Sequence, residues 1–133
     1  MIPPLKREIE MAGSPMALWI ELHFKLEDAY EEKLPDDELI KQIYAYAHWC
    51  LRKANNTDIF TAVVYAFYEH VLTHKKVRHD LPNQMNRKDF LALDGYLAYH
   101  LTDEEFDEYS EKFLSAKEKL LHKTGGRDIH QSH

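Results

Sequence analysis

The sequence predicts an all-α protein: a single bundle-like domain of five helices, the third central and apolar nearly all round. Three observations predict this. Five prolines and four glycines punctuate the chain, and long breaker-free stretches lie between them. Within those stretches apolar residues recur at intervals of three and four. No stretch sustains the period-two alternation of a strand. The chain has 133 residues, 44% of them hydrophobic and 30% charged. That is the size of one domain, able to build a core without a disulfide or a metal. Residues 1–14 read as an irregular arm, 15–121 as the helical domain, and 122–133, with Gly125 and Gly126, as a flexible tail.

The first helix is predicted over 15–33. Ser14 suits the N-cap, Pro15 suits the first helical position, and Trp19, Leu22, Leu26 and Tyr30 form its apolar face. The second runs over 36–54, capped by Asp36 or Asp37, with Ile40, Ile43, Ala47 and Leu51 as its stripe. The third runs over about 58–78. Its residues Ile59, Phe60, Val63, Val64, Tyr65, Phe67, Tyr68, Val71 and Leu72 point in nearly every direction, as in a helix buried all round. Pro82 marks a loop over 80–85. The fourth helix, 87–101, is capped by Asn86 and carries Phe90, Leu93, Leu97 and Leu101. Gly95 inside it costs about 1 kcal/mol against alanine, which suggests a close approach by another helix. Thr102 and Glu105 form a capping box that opens the fifth helix, expected to end near Leu121. Phe106, Tyr109, Phe113, Lys117 and Leu120 repeat along it.

Charge narrows the function classes. The net charge of −6 disfavours nucleic acid as a partner. The acidity sits at the two ends: residues 1–35 carry four cations and seven anions, and 102–121 carry three and seven. Asp103, Glu104, Glu105, Asp107, Glu108 and Glu111 make a solvated face, or alternatively a docking face for a basic protein. No apolar run approaches the roughly 20 residues of a membrane span. Glu8, Glu10 and Glu21 interrupt any secretory signal, so a cytoplasmic protein is expected. The single cysteine, Cys50, excludes an internal disulfide and a zinc-finger framework.

Nine histidines are the chemically informative residues. His70 and His74 lie four apart on the predicted third helix, on one face and within reach of a shared transition metal. His23 and Glu27 have the same spacing on the first helix, and His48 and His100 border apolar stripes. The set of His23/Glu27, His70/His74 and His100 is similar to that of hemerythrin-like di-iron bundles. It departs from them in placing HxxxE on the first helix and in the capping box between His100 and Glu105. The simpler account makes these histidines amphipathic residues at helix borders, and no cofactor is expected.

Glu69 and His70, with His100 as a partner, form a structural polar pair or line a small-ligand pocket beside the third helix. A buried Glu69 needs a partner, for which His100, Arg52 or a tyrosine is available. Arg87 and Lys88 adjoin the free N–H groups of the fourth helix, where an anion is an alternative to plain solvation. Tyr46 and Trp49 form a second stripe on helix two. It either packs on Tyr65 and Tyr68 or stays exposed as an interaction surface.

No HExxH, Walker A, GxGxxG or GxSxG motif appears, and Cys50 lies off the main stripe without an identifiable base. The expectation is a non-enzymatic protein–protein interaction module, a monomer or homodimer. It is similar in size and charge to bacterial immunity and antitoxin-like proteins. A metal-binding bundle using His70 and His74 is the alternative.

Overall fold

The structure, a computed structural model, describes residues 14–53 and 57–132, with 121–132 described as backbone only. The arm expected over 1–14 lies, but for Ser14, outside the described residues. The described residues form seven α-helices and one 3-10 helix, and no strand. Helix α1 is Pro15–Glu31, α2 Asp37–Lys53 and α3 Thr57–Ala66. A 3-10 segment covers Tyr68–Thr73, followed by α4 Lys75–Gln84, α5 Arg87–Ala92, α6 Asp94–Leu97 and α7 Asp103–Ser132. None of these helices is long and apolar enough to cross a membrane.

The start of α1 follows from its cap. Ser14 is extended, and its hydroxyl accepts the Ala17 N–H at 3.1 Å while Pro15 opens the helix. Leu18, Trp19, Leu22, His23, Leu26, Ala29 and Tyr30 form the buried face. Asp36 caps α2 by accepting the Leu39 N–H at 3.1 Å. The short connection makes α1 and α2 an antiparallel hairpin. Ile40, Ile43, Tyr44, Ala47 and Cys50 are its buried residues. Cys50 therefore belongs to the core, not to a face off the stripe, and burial pushes its thiol up to about 11.

The single third helix gives way to α3, the 3-10 segment and α4. The chain leaves α-geometry at Phe67. Winding at three residues per turn aligns side chains three apart. Tyr68 and Val71 form one buried row and Glu69 and Leu72 another, while the half-buried His70 and exposed Thr73 form the outward row. Four of the six residues are thus buried. Nor is α3 apolar and buried all round, since Phe60 and Tyr65 are exposed.

Helix α4 contains Pro82, where the sequence predicts a loop. An interior proline removes one helical N–H and frees the carbonyl four residues earlier, costing about 3 kcal/mol. Here the freed carbonyl belongs to Arg78, and the Tyr109 hydroxyl of α7 donates to it at 2.7 Å. Lys117, two turns further along α7, donates to the Pro82 carbonyl at 2.9 Å. So α7 supplies what the proline took away.

Asn86 caps α5 by accepting the Asp89 N–H at 2.7 Å. The predicted fourth helix breaks at Leu93 into α5 and α6. A Cβ on Gly95 would meet nothing within 4 Å, so no helix approaches there. The Thr102–Glu105 capping box forms as expected, with bonds of 2.9 and 3.1 Å. Phe90 stacks on Phe113 at 3.9 Å between ring centres and touches Phe106 and Tyr109, which fixes α5 on α7. The backbone of α7 stays helical to Ser132, beyond the expected end near Leu121. Helix α1 packs against α2, α3 and α4, and the 3-10 segment against α3, α4 and α6.

Candidate functional site

Two arrangements have the make-up of a site. The first is a column of aromatic rings. Trp19 of α1 is 1% exposed and stacks on Tyr46 of α2 at 5.3 Å, 25° between planes. Tyr46 in turn stacks on Trp49 at 6.3 Å and 20°. Trp49 is 43% exposed. The column therefore runs from the core to the surface, and each ring is held by the one beneath it. Tyr46 does not pack on the Tyr65/Tyr68 stripe through its ring, as one expectation had it. Tyr65 meets Tyr96 edge-on, and Tyr68 is buried against Phe67.

The second is a row of imidazoles from three elements. His23 of α1 lies 5.2 Å from His70 of the 3-10 segment, and His70 lies 4.8 Å from His100, in the turn after α6. His23 is 8% exposed, while His100 is exposed and its ring meets Tyr99 edge-on. The Nε2 of His23 faces the Glu27 carboxylate at 3.2 Å. That contact assigns the proton to Nε2. Nδ1 is then a bare lone pair, sealed from solvent with no hydrogen-bond partner. Burial first, then the neighbouring His70 and His74, pull the His23 pKa down to about 4, so the ring is neutral at neutral pH.

The row differs from the expected metal pair. His74 caps α4: its Nδ1 accepts the Val77 N–H at 3.5 Å, and its Nε2 meets Glu31 at 2.8 Å. Both nitrogens are thus engaged. With His70 in a 3-10 segment, a spacing of four no longer means one face. The sequence reading noted His23 with Glu27 but not its place beside His70. The available signal was the spacing from Trp19, which puts His23 on the buried face of α1. Among the described residues no three His, Cys, Asp or Glu side chains stand placed to enclose a metal ion.

The other candidates fall apart or close up. Glu69 is buried, and its carboxylate makes no hydrogen bond or ion pair with His100, Arg52 or a tyrosine. Arg52 is committed elsewhere, to Asp89 at 2.6 Å and to His48 Nε2 at 3.1 Å. His48 Nδ1 meets the other Asp89 oxygen at 3.0 Å. These three side chains form a closed triangle between α2 and α5 with no ring nitrogen to spare. Arg87 and Lys88 are exposed on the six-residue α5, whose free Asp89 N–H the Asn86 side chain already takes. The acidic residues Asp103, Glu104, Glu105, Asp107, Glu108 and Glu111 are all exposed on α7.

Comparison with models of known protein families, with curated proteins and with solved structures gives no match.

Proposed function

We propose that the protein is a non-enzymatic interaction module that docks one protein partner through Trp49. The Trp19–Tyr46–Trp49 column carries this reading. A tryptophan already immobilised by stacking loses little freedom on binding, and aromatic anchors of this kind dominate interface energetics. Met16, one turn before Trp19 on α1, adds exposed apolar surface next to the column's base in sequence. The solvated carboxylates of α7 favour a partner of basic character through long-range attraction. In this reading the chain works in the cytoplasm, as a monomer or a homodimer, and needs no cofactor.

The test is a photo-crosslinking residue at position 49 in living cells of the source. Position 34 serves as control, because Leu34 is more exposed than Trp49 but stands on no ring column. One discrete adduct from position 49, absent from position 34 and lost when Tyr46→Ala removes the supporting ring, is the expected result. No adduct at 49, or the same adducts at both positions, overturns the proposal.

A further inference from the structure

Helix α1 carries two apolar rows, and its buried face accounts for only one. Met16, Ile20 and Phe24 are 38%, 44% and 57% exposed. They stand four residues apart, which lines them up as one ridge along the outside of the helix, about 12 Å from end to end. Apolar residues scattered singly over a surface need no explanation; three in one row on a face that should be polar do. The row has a charged border. Asp28 continues it at the next interval of four, and Glu21 flanks it; both are exposed, and neither makes an ion pair among the described residues. Lys25, the one lysine or arginine of α1, is half-buried and already engaged. On the other side the Phe24 ring rests against the His23 ring at 5.5 Å, and His23 is neutral.

We propose that this face of α1 docks a cationic amphipathic helix of a partner protein, with Met16, Ile20 and Phe24 as the apolar contact and Glu21 and Asp28 as its ionic border. A helix laid in this way needs apolar anchors at matching intervals and lysine or arginine beside them. Opposite charge selects the partner and sets the direction in which it lies, while the apolar ridge supplies most of the affinity. A second copy of the chain fits less well. In a two-fold antiparallel pair each flank faces its own copy, so the carboxylates of one α1 meet those of the other. The inference goes beyond the Trp49 reading and does not rest on it, since Trp49 belongs to α2.

The experiment titrates the full-length protein with a synthetic alanine-based helix of roughly 18 residues, long enough to be helical alone, with three leucines at intervals of four and lysines beside them. A second peptide has glutamate in place of lysine. Methyl spectra read Met16 and Ile20. The lysine peptide should shift both, and the glutamate peptide neither. Ile20→Ala/Phe24→Ala should weaken binding about tenfold or more, read at Met16. Glu21→Gln/Asp28→Asn should weaken it about threefold and flatten its salt dependence. Trp49→Ala, and Glu104→Gln/Glu108→Gln on α7, should leave it unchanged. All these side chains are exposed, and circular dichroism checks that each variant folds. Equal binding of the two peptides overturns the proposal, as does the absence of a shift at Met16 and Ile20, or binding that survives Ile20→Ala/Phe24→Ala. Loss of binding in Trp49→Ala moves the helix to the Trp49 surface, which overturns the α1 face and leaves the Trp49 reading intact. Two further outcomes overturn it through another occupant: sedimentation of the protein alone as a dimer that Phe24→Ala dissociates, and nuclear Overhauser contacts from residues 1–13 to Phe24.

Discussion

The contact between α4 and α7 and the neighbourhood of His23 treat buried polar groups in opposite ways. At the first, every displaced group has been answered. The Arg78 carbonyl freed by Pro82 takes the Tyr109 hydroxyl, and the Pro82 carbonyl takes Lys117. Asp80, in the same helix, accepts from Tyr30 at 2.5 Å, Asn83 at 2.8 Å and Gln84 at 3.0 Å. At the second, His23 Nδ1 is sealed with nothing bonded to it. The Tyr44 hydroxyl, buried beside Tyr30 and Asp80, also lacks a partner of full hydrogen-bond geometry. Satisfied groups lock one helix to another; unsatisfied ones lower stability where they sit and persist where something else needs them. The difference separates contacts that hold one helix to another from a buried ring nitrogen that holds nothing.

The largest expected effect comes from high pH, which strips protons from both regions. Burial is the first cause that raises the hydroxyl pKa values of Tyr30, Tyr44, Tyr68 and Tyr109 well above the ordinary tyrosine value. For Tyr30 the bond to Asp80 adds to the rise. In the unfolded chain these hydroxyls ionise near pH 10, while in the folded chain they keep their protons. Above that pH the unfolded state binds fewer protons, so stability falls as pH rises. It is fully present below pH 10. The loss is about 1.4 kcal/mol per tyrosine per pH unit, or roughly 6 kcal/mol for the four at pH 11. An absorbance titration at 295 nm, run beside circular dichroism, follows these ionisations. The four buried rings should ionise only as circular dichroism collapses. A single step for all tyrosines with unchanged helicity would contradict this.

Next in size is Tyr109→Phe. It removes one oxygen and leaves the Arg78 carbonyl without its donor, at a cost of about 1–3 kcal/mol in denaturant unfolding. The smallest effect is Tyr44→Phe, which removes a hydroxyl that lacks a partner of full hydrogen-bond geometry. It should be neutral, or stabilising by up to about 1 kcal/mol. The pair sharpens the comparison, because the same chemical change is made in two buried rings. If both variants lost equal stability, the division into answered and unanswered groups would not hold.

The features visible in the sequence were those set by neighbours. The caps at Ser14, Asp36, Asn86 and Thr102 are local hydrogen bonds, and all four form where expected. The all-α class follows from the same short-range periodicity. The hidden features depend on distant residues. Pro82 reads as a loop because nothing within one turn can supply its missing bond; the donor lies 31 residues from Arg78. The break at Phe67 is decided by packing against other elements, and α-periodicity carries no sign of it. The candidate site divides likewise. The pairing of His23 with Glu27 and the Tyr46–Trp49 stripe are single-helix patterns. The approach of His100 to His70 joins two segments thirty positions apart, and no spacing rule finds it.

The Tyr109 bond to Arg78 also fixes an order of events during synthesis. The chain leaves the ribosome from its N-terminus, so α4 emerges before the residue that completes it. Until Tyr109 follows, the nascent protein carries an unanswered carbonyl at the Pro82 break, and the second half of α4 has little reason to be a helix. A ribosome stalled before position 109 should hold a chain whose α1–α2 hairpin resists protease while the segment around Pro82 is cut. Once the first turns of α7 are out, the cleavage should cease.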